Sequence, residues 1–405
     1  MRVLLVPFGS EGDVNPLIWM ASGLRDRGHQ CSFLLTPHYR ELISGFGFLP
    51  LGTEADFQRM AGNPALWKPR EGTFHVARAM FESLDPVRRV FEANEGAFDL
   101  VITSSFGFAA GCLAESRRIP HLMLHLQPVC VRSVRDAPLM TPEMKRFLGG
   151  PRWILQTIFA LSDVMLDTQL LPPLNRFRRS LGLAPWKHFY RDGLMSGNGI
   201  GLLFPDWFAP PQPEWPVQAR QFGFPLQAKA GSIPDELAGW LDAGEPPVVW
   251  THGSANLHTE AYFQVAAAAT RAIGGRALLV GRTPPAFELP TGMLHWTHVS
   301  FDALFPRCRA VVHHGGIGTT AKAFAAGLPQ LVIPLAHDQF DNAYRVERLG
   351  AGIWSRAHPL RATADLRRLL RSPEIAAAVA TWKNRIATTD SSPGAACAFA
   401  EELGA

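Results

Sequence analysis

The sequence predicts an α/β protein of two domains, each a doubly wound parallel sheet. Three observations predict it. Short, continuous apolar runs alternate with helix-length stretches in both halves, the pattern of strands buried on both faces. In each half one such run ends in a glycine turn, Phe8-Gly9-Ser10-Glu11-Gly12 early and His313-His314-Gly315-Gly316-Ile317-Gly318 late. Between them stands the most proline-dense piece of the chain, residues 209–216, which is semi-rigid and cannot join a sheet interior. The 405 residues are long for one core and comfortable for two. The expected division is 1–215 for the first domain, 216–384 for the second, and a tail over 385–405.

In chain order, residues 3–7 form the first strand. Asn15 is a good N-cap and Pro16 suits a first helical position, so a helix is expected from there, with Leu17, Met20, Ala21 and Leu24 at helical spacing and an end near Gly28. Strands follow at 31–35, 100–103 and 122–126, with a glycine-containing helix up to Arg118 between the last two. Stretches 56–94 and 140–190 carry many aromatic residues and methionines, which pack against the sheet or line an apolar cleft. Residues 201–206 are read as the last strand of the first domain.

The second domain restarts with a strand at 247–251 running into His252-Gly253-Ser254, an echo of the opening turn. Strands at 277–280, 294–296 and 310–312 lead to the histidine-glycine turn. Thr319 and Thr320 open a helix of small residues that stops at Gly327, and a strand at 331–335 delivers His337, Asp338 and Gln339. A short helix at 395–403 ends the tail.

Composition removes several function classes. The chain is 47% hydrophobic with a formal net charge of +4, and it has no basic run interleaved with aromatics, so nucleic acid is not an expected partner. Five scattered cysteines, never in a C-x-x-C pair, read as reduced thiols. The first strand is too short for a signal-peptide core, and no apolar run approaches the length of a membrane span. The expectation is a cytoplasmic protein, monomer or homodimer, with peripheral membrane contact left open.

Strand, glycine turn, helix, strand is a unit that binds ligands beyond the carboxyl ends of its strands, and its helix N-terminus favours an anion, most often a phosphate. Two readings of it compete. Gly316, Gly318 and Ala321 fit the G-x-G-x-x-A fingerprint of dinucleotide sites, with Asp338 about twenty residues on. That reading would make the protein an NAD(P)-dependent oxidoreductase. Against it, Asp338 comes after Pro334 rather than at a strand end, and the histidine pair has no role in the fingerprint.

The strings HHGGIGTT and AHDQFDN resemble the donor signature of the nucleotide-sugar glycosyltransferases of the GT-B fold, two Rossmann-like domains facing across a cleft. The likeness is greatest to the bacterial sterol, antibiotic and rhamnolipid branches. It implies that His314 contacts the donor diphosphate, that Gly316, Gly318 and Thr319 present backbone and hydroxyl to it, and that Asp338 with Gln339 holds the sugar. Trp296 matches the aromatic that stacks on the base, and Gly253 with Ser254 adds a second diphosphate contact. Lys322 stands where many members place a ribose-binding glutamate, so that contact does not transfer, and a dTDP donor gains plausibility beside UDP.

The resemblance further implies inverting transfer to a hydroxyl of a hydrophobic small molecule or lipid. The general base would be Asp13 in the first glycine turn, with Gly12, Ser104 and His125 toward the acceptor. Asp13 can instead be a helix cap and His125 a core histidine. The nucleotide sugar is a substrate; no cofactor and no metal ligands are expected. A catalytically silent sugar-nucleotide-binding subunit is the remaining alternative.

Overall fold

A computed structural model describes all residues except 69–70, 227–230 and 254–259. Two compact units result: Met1–Leu66, Arg70–Pro225 and Ser392–Ala405 in one, Trp67–Pro69 and Leu226–Ser391 in the other.

The first unit is built on a seven-stranded sheet: β1 Arg2–Val6, β2 Gln30–Leu35, β3 Gly47–Pro50, β4 Leu100–Ser104, β5 His121–His125, β6 Gly199–Leu203 and β7 Ala219–Phe222. Their spatial order is β3-β2-β1-β4-β5-β6-β7, with every pairing parallel. Strands β4, β5 and β6 are buried at every position, which is why they read as unbroken apolar runs rather than alternating ones. The sheet does not stop at residue 206. The chain passes the prolines and returns as β7, pairing with β6 from Ile200↔Ala219 to Leu203↔Phe222, so the first unit runs to Pro225 rather than to 215. The prolines bridge two neighbouring strands of one sheet.

The second unit carries six strands: β8 Val248–Thr251, β9 Ala277–Val280, β10 Met293–Trp296, β11 Ala310–His313, β12 Gln330–Val332 and β13 Gly352–Trp354. Their order is β10-β9-β8-β11-β12-β13, again all parallel. Strand β12 ends at Val332 rather than at 335, because Pro334 cannot supply a ladder N–H.

In both sheets the strand order reverses at one point, between β1 and β4 in the first and between β8 and β11 in the second. Connections leave in opposite directions there, and the crevice they open is where such sheets bind ligands. Both glycine turns found in the sequence lie at these reversals.

The first helix, Glu11–Asp26, begins five residues earlier than expected. Its cap is Ser10, which accepts from the Gly12 N–H at 3.2 Å, while Asp13 at the third helical position accepts from the Ser10 N–H at 2.8 Å. That reciprocal pair is a capping box; Asn15 and Pro16 lie inside the helix. The second helix after a glycine turn, Ile317–Ala326, ends on Gly327 in the left-handed conformation (φ 71°) as expected.

The tail's last helix, Gly394–Gly404, packs on the first helix and on β4, β5 and β6. Glu401 bonds Arg27 and His29 there, and Cys397 and Phe399 are buried. All five cysteines are free thiols. By length and composition alone the helix Arg152–Ser180 is long and apolar enough to cross a membrane, where no apolar run of that length was expected, but Leu170, Leu171, Leu174 and Phe177 of its C-terminal half are built into the core of the first unit. Asp163 and Asp167 interrupt its sequence, so no unbroken apolar run marks it.

Candidate active site

In the second unit, the turn after β11 and the turn after β8 converge on one imidazole. A Cβ added to Gly253 would lie 2.7 Å from the His314 ring, and one added to Gly316 would lie 2.5 Å from His314 Nε2. The ring therefore sits in a slot with a glycine on each side, and no side chain fits at either position. Gly253 also has φ +82°, a conformation open to glycine and strained for other residues. Burial holds the His314 imidazole down at about 4, so near neutral pH it is an uncharged donor rather than a cation.

Gly316 is the N-cap of helix Ile317–Ala326, and no side chain caps it. The first-turn amides of Ile317, Gly318 and Thr319 thus lack the intrahelical acceptors that later amides have. The Thr319 hydroxyl makes no hydrogen bond among the described residues, and a Cβ at Gly318 would meet nothing within 4 Å. Among the described residues nothing demands glycine at 318; the open space lies over donors and a partial positive charge, a cradle for an anion.

The other histidine of the pair is structural. His313 accepts from the Gly315 N–H at Nδ1 (3.1 Å), which leaves Nε2 to donate to Gln330 Oε1 at 3.0 Å. It is fully buried, and its pKa is lowered to about 3, mainly by desolvation.

The turn between β12 and helix Gln339–Arg348 is tied to the glycine turn. Asn342 Nδ2 donates to the Gly315 carbonyl at 2.8 Å and to Asp338 Oδ2 at 2.7 Å. The Gln339 side chain faces inward: its Oε1 accepts from the Leu335 and Ala336 N–H groups. Gln339 thus shapes the turn, and Asp338, half-buried at the helix N-cap, is the group of the pair placed nearer the surface. Preceding it, His337 adopts φ +59°, an uncommon left-handed conformation for a histidine that costs strain. From sequence, His337 has a place beside Asp338 and Gln339 but no role, and Asn342 has none, although Asn342 lies one helical turn from Asp338 and that spacing is legible.

Trp296 ends β10, half-buried, and with His295, Thr297 and His298 lines an open hollow of about 450 Å³. Strands β9 and β8 separate β10 from β11, so three strand spacings put Trp296 roughly 14 Å from the histidine turn. Only an elongated ligand reaches both. Lys322 is held by Asp302 at 2.7 Å. Ser254 lies outside the described residues.

In the first unit, the Asp13 carboxylate rests directly against Gly9, whose φ of +132° and missing side chain make room for it. Asp13 Oδ2 takes the bonds from Ser10, while Oδ1 accepts none among the described residues. Desolvation raises its pKa to about 6 against the lowering effect of the Ser10 bonds, which brings a carboxylate into the range of a working base. Ser104, buried at the end of β4, accepts from the Phe8 N–H at 2.8 Å and so anchors the turn that carries Asp13. Gly12 is exposed in the helix's first turn.

His125 does not join them as a contact group. It is fully buried, with Ser105 Oγ at 2.9 Å from Nδ1 and the Leu194 carbonyl 2.8 Å from Nε2. Both ring nitrogens are committed, and its pKa falls to about 4 through desolvation. Of the two readings open from sequence, the core histidine is the one the geometry takes.

The family model for the C-terminal domain of erythromycin biosynthesis protein CIII-like proteins matches residues 278–393. O-mycaminosyltylonolide 6-deoxyallosyltransferase of Streptomyces fradiae is 30% identical over 375 residues, 86% of this chain and 84% of its own length. Vancomycin aglycone glucosyltransferase of Amycolatopsis orientalis is 30% identical over 364 residues, 87% and 85% of the two chains. Among solved structures, spinosyn rhamnosyltransferase SpnG complexed with thymidine diphosphate shares the fold, with a TM-score of 0.69 at 19% identity over 99% of this chain and 100% of that one. The oxidoreductase reading falls with these matches and with Asp338, which stands at a helix N-cap position instead of closing a strand. Identity of this extent to sugar transferases, carried on two parallel-sheet units, means that the chain belongs to the nucleotide-sugar glycosyltransferases of the GT-B fold, in the family of the antibiotic glycosyltransferases.

Proposed function

We propose that this glycosyltransferase moves a hexose or deoxyhexose, with inversion, from a dTDP- or UDP-sugar to a hydroxyl of a hydrophobic acceptor, with Asp13 as the general base. The observation that carries the proposal is the glycine-walled His314 beside an uncapped helix N-terminus, at the strand-order reversal of the second sheet. In the reaction the acceptor oxygen bonds to the anomeric carbon while the bond from that carbon to the diphosphate oxygen breaks. The acceptor proton passes to Asp13 Oδ1. Charge gathering on the leaving diphosphate is met by the His314 N–H, the amides of Ile317 to Thr319 and the Thr319 hydroxyl. Gly253 and Ser254 would add to that cradle, Asp338 would hold sugar hydroxyls with Gln339 shaping its turn, and Trp296 would stack on the base.

A deoxysugar on dTDP is favoured by two considerations. Lys322 takes the place of a ribose-binding acid, and a relative that transfers 6-deoxyallose and a fold neighbour holding thymidine diphosphate both appear among the matches. We further propose that turnover needs neither cofactor nor metal, since the helix N-terminus and imidazole can carry the diphosphate charge, and that the reaction runs in the cytoplasm, where five free thiols stay reduced.

The test is a donor screen read by nucleotide release, then an acceptor screen with the winning donor, with and without EDTA. The expected result is release from dTDP- or UDP-sugars, unaffected by EDTA, and a melting temperature raised by dTDP or UDP but not by NAD(P). Donor binding with no transfer to any acceptor would instead support a silent binding subunit. His314→Ala should weaken dTDP or UDP binding; unchanged affinity would remove it from the site.

A further inference from the structure

The helix Arg152–Ser180 presents an apolar stripe to solvent that the transfer reaction does not explain. Six of the ten exposed large hydrophobic side chains among the described residues fall between 140 and 165: Met140, Phe147, Trp153, Leu161, Val164 and Met165. Trp153, Leu161 and Val164 are each more than three-fifths exposed, at 64%, 68% and 63%. At 3.6 residues per turn, Trp153, Val164, Leu161 and Met165 fall within one stripe about 120° wide and roughly 20 Å long.

The polar atoms inside this stripe are already satisfied. Thr157 donates its hydroxyl to the Trp153 carbonyl and Thr168 donates to the Val164 carbonyl, each at about one turn's separation (2.9 and 2.8 Å). The two acids of the helix are engaged beside it: Asp163 bonds Arg132, and Asp167 accepts from the Phe189 N–H and meets His188. Nothing charged interrupts the stripe, and its hydroxyls do not need water.

The helix does not cross a bilayer in this fold. Leu170, Leu171, Leu174 and Phe177 in its C-terminal half are built into the core of the first unit, and Leu155 and Phe159 bury its inward side. It can only lie flat. Around the stripe the charge is positive: residues 140–180 carry six arginines and lysines against three acids, and Arg146 and Arg152 at one end and Arg176 and Arg179 at the other are exposed. A dry stripe with Trp and Phe at its start and cations at both ends has the chemistry of a helix that rests in the interface of an acidic bilayer. We propose that this face docks the protein on membranes rich in anionic lipid. The proposal does not depend on which sugar or acceptor the enzyme uses.

Co-sedimentation of the full chain with vesicles tests it. Equal parts phosphatidylglycerol and phosphatidylcholine should bind the protein at least about tenfold better than phosphatidylcholine alone, with the preference fading as salt rises. The double variant Trp153→Glu, Leu161→Glu should lose about tenfold or more of that binding at an unchanged melting temperature, and Arg146→Glu with Arg152→Glu should erase the preference for acidic lipid. Should the apolar double variant not fold, brominated lipids provide the second readout: they should quench wild-type tryptophan emission, and Trp153→Phe should remove that quenching. The proposal is overturned by absence of binding to acidic vesicles, by quenching that persists in Trp153→Phe, or by lipid-free self-association that Leu161→Glu abolishes, which would make the face an interface between copies.

Discussion

Asp13 combines two jobs that pull its chemistry in opposite directions. As the third residue of a capping box it accepts from Ser10, which favours the anion; its burial against Gly9 disfavours the anion more, and the balance sits near 6. If Asp13 is the base, kcat/KM should climb with pH as the carboxylate forms and level off above an inflection near 6, and Asp13→Ala should lower turnover by about 100- to 10,000-fold while sparing donor affinity. The folded pKa lies above the unfolded value of roughly 3.9, so ionisation costs stability: the contribution is fully present below that value and is lost as pH rises through 6. Melting temperatures of wild type and Asp13→Asn should therefore diverge in favour of the variant between about pH 4 and 6, then run parallel. Glycines offer a second contrast. Gly316→Ala should weaken both folding and nucleotide binding, because its methyl would strike His314. Gly318→Ala should fold as well or better, since alanine suits an open helical position, and yet bind dTDP less well. Melting and calorimetric titration separate the two.

At the scale of elements, the sequence was most readable where burial on both faces wrote an unbroken apolar run, as in β1, β4, β5 and β11. It was least readable where two local signals conflicted. Asn15-Pro16 looks like a helix start, but Ser10 and Asp13 close a reciprocal cap one turn earlier, and Pro16 is accommodated inside. Strands β3, β7 and β13 span three or four residues each and sit near sheet edges, too short for a period to show. The histidine-glycine turn was legible because glycine is demanded there by contact with His314 and leaves a mark; the roles of Gln339 and His125 were not, because whether a polar side chain faces inward is decided by partners far along the chain. Ser10→Ala tests the cap. It should cost about 1 kcal/mol and, by removing a hydroxyl that favours the Asp13 anion, shift the rate inflection above 6. An unmoved inflection would show that the Ser10 hydroxyl has no hold on the base.

Across the whole molecule, one rule locates the chemistry. Each sheet reverses strand order once, and the glycine turns that carry Asp13 and His314 lie at those reversals, while Trp296 stands three strands away on the edge strand β10. The first unit has a further requirement, its returning tail. A Cβ at Gly23 would meet Pro393 at 2.5 Å and Cys397 Sγ at 2.8 Å, and one at Gly199 would meet Leu403 at 2.5 Å. Both glycines are shaped by the helix Gly394–Gly404. Gly199→Leu, or removal of residues 392–405, should lower the melting temperature of the first unit and expose its tryptophans, while the second unit keeps its affinity for dTDP. Loss of both together would mean that the two units do not fold independently.

That tail sets a schedule for biosynthesis. On the ribosome, the first sheet emerges with part of its cover missing, and the piece that seals it is translated only after residues 226–391 have been made. The unit begun first is sealed only after the second has been made, so a nascent chain stalled before residue 392 would carry an unsealed apolar face.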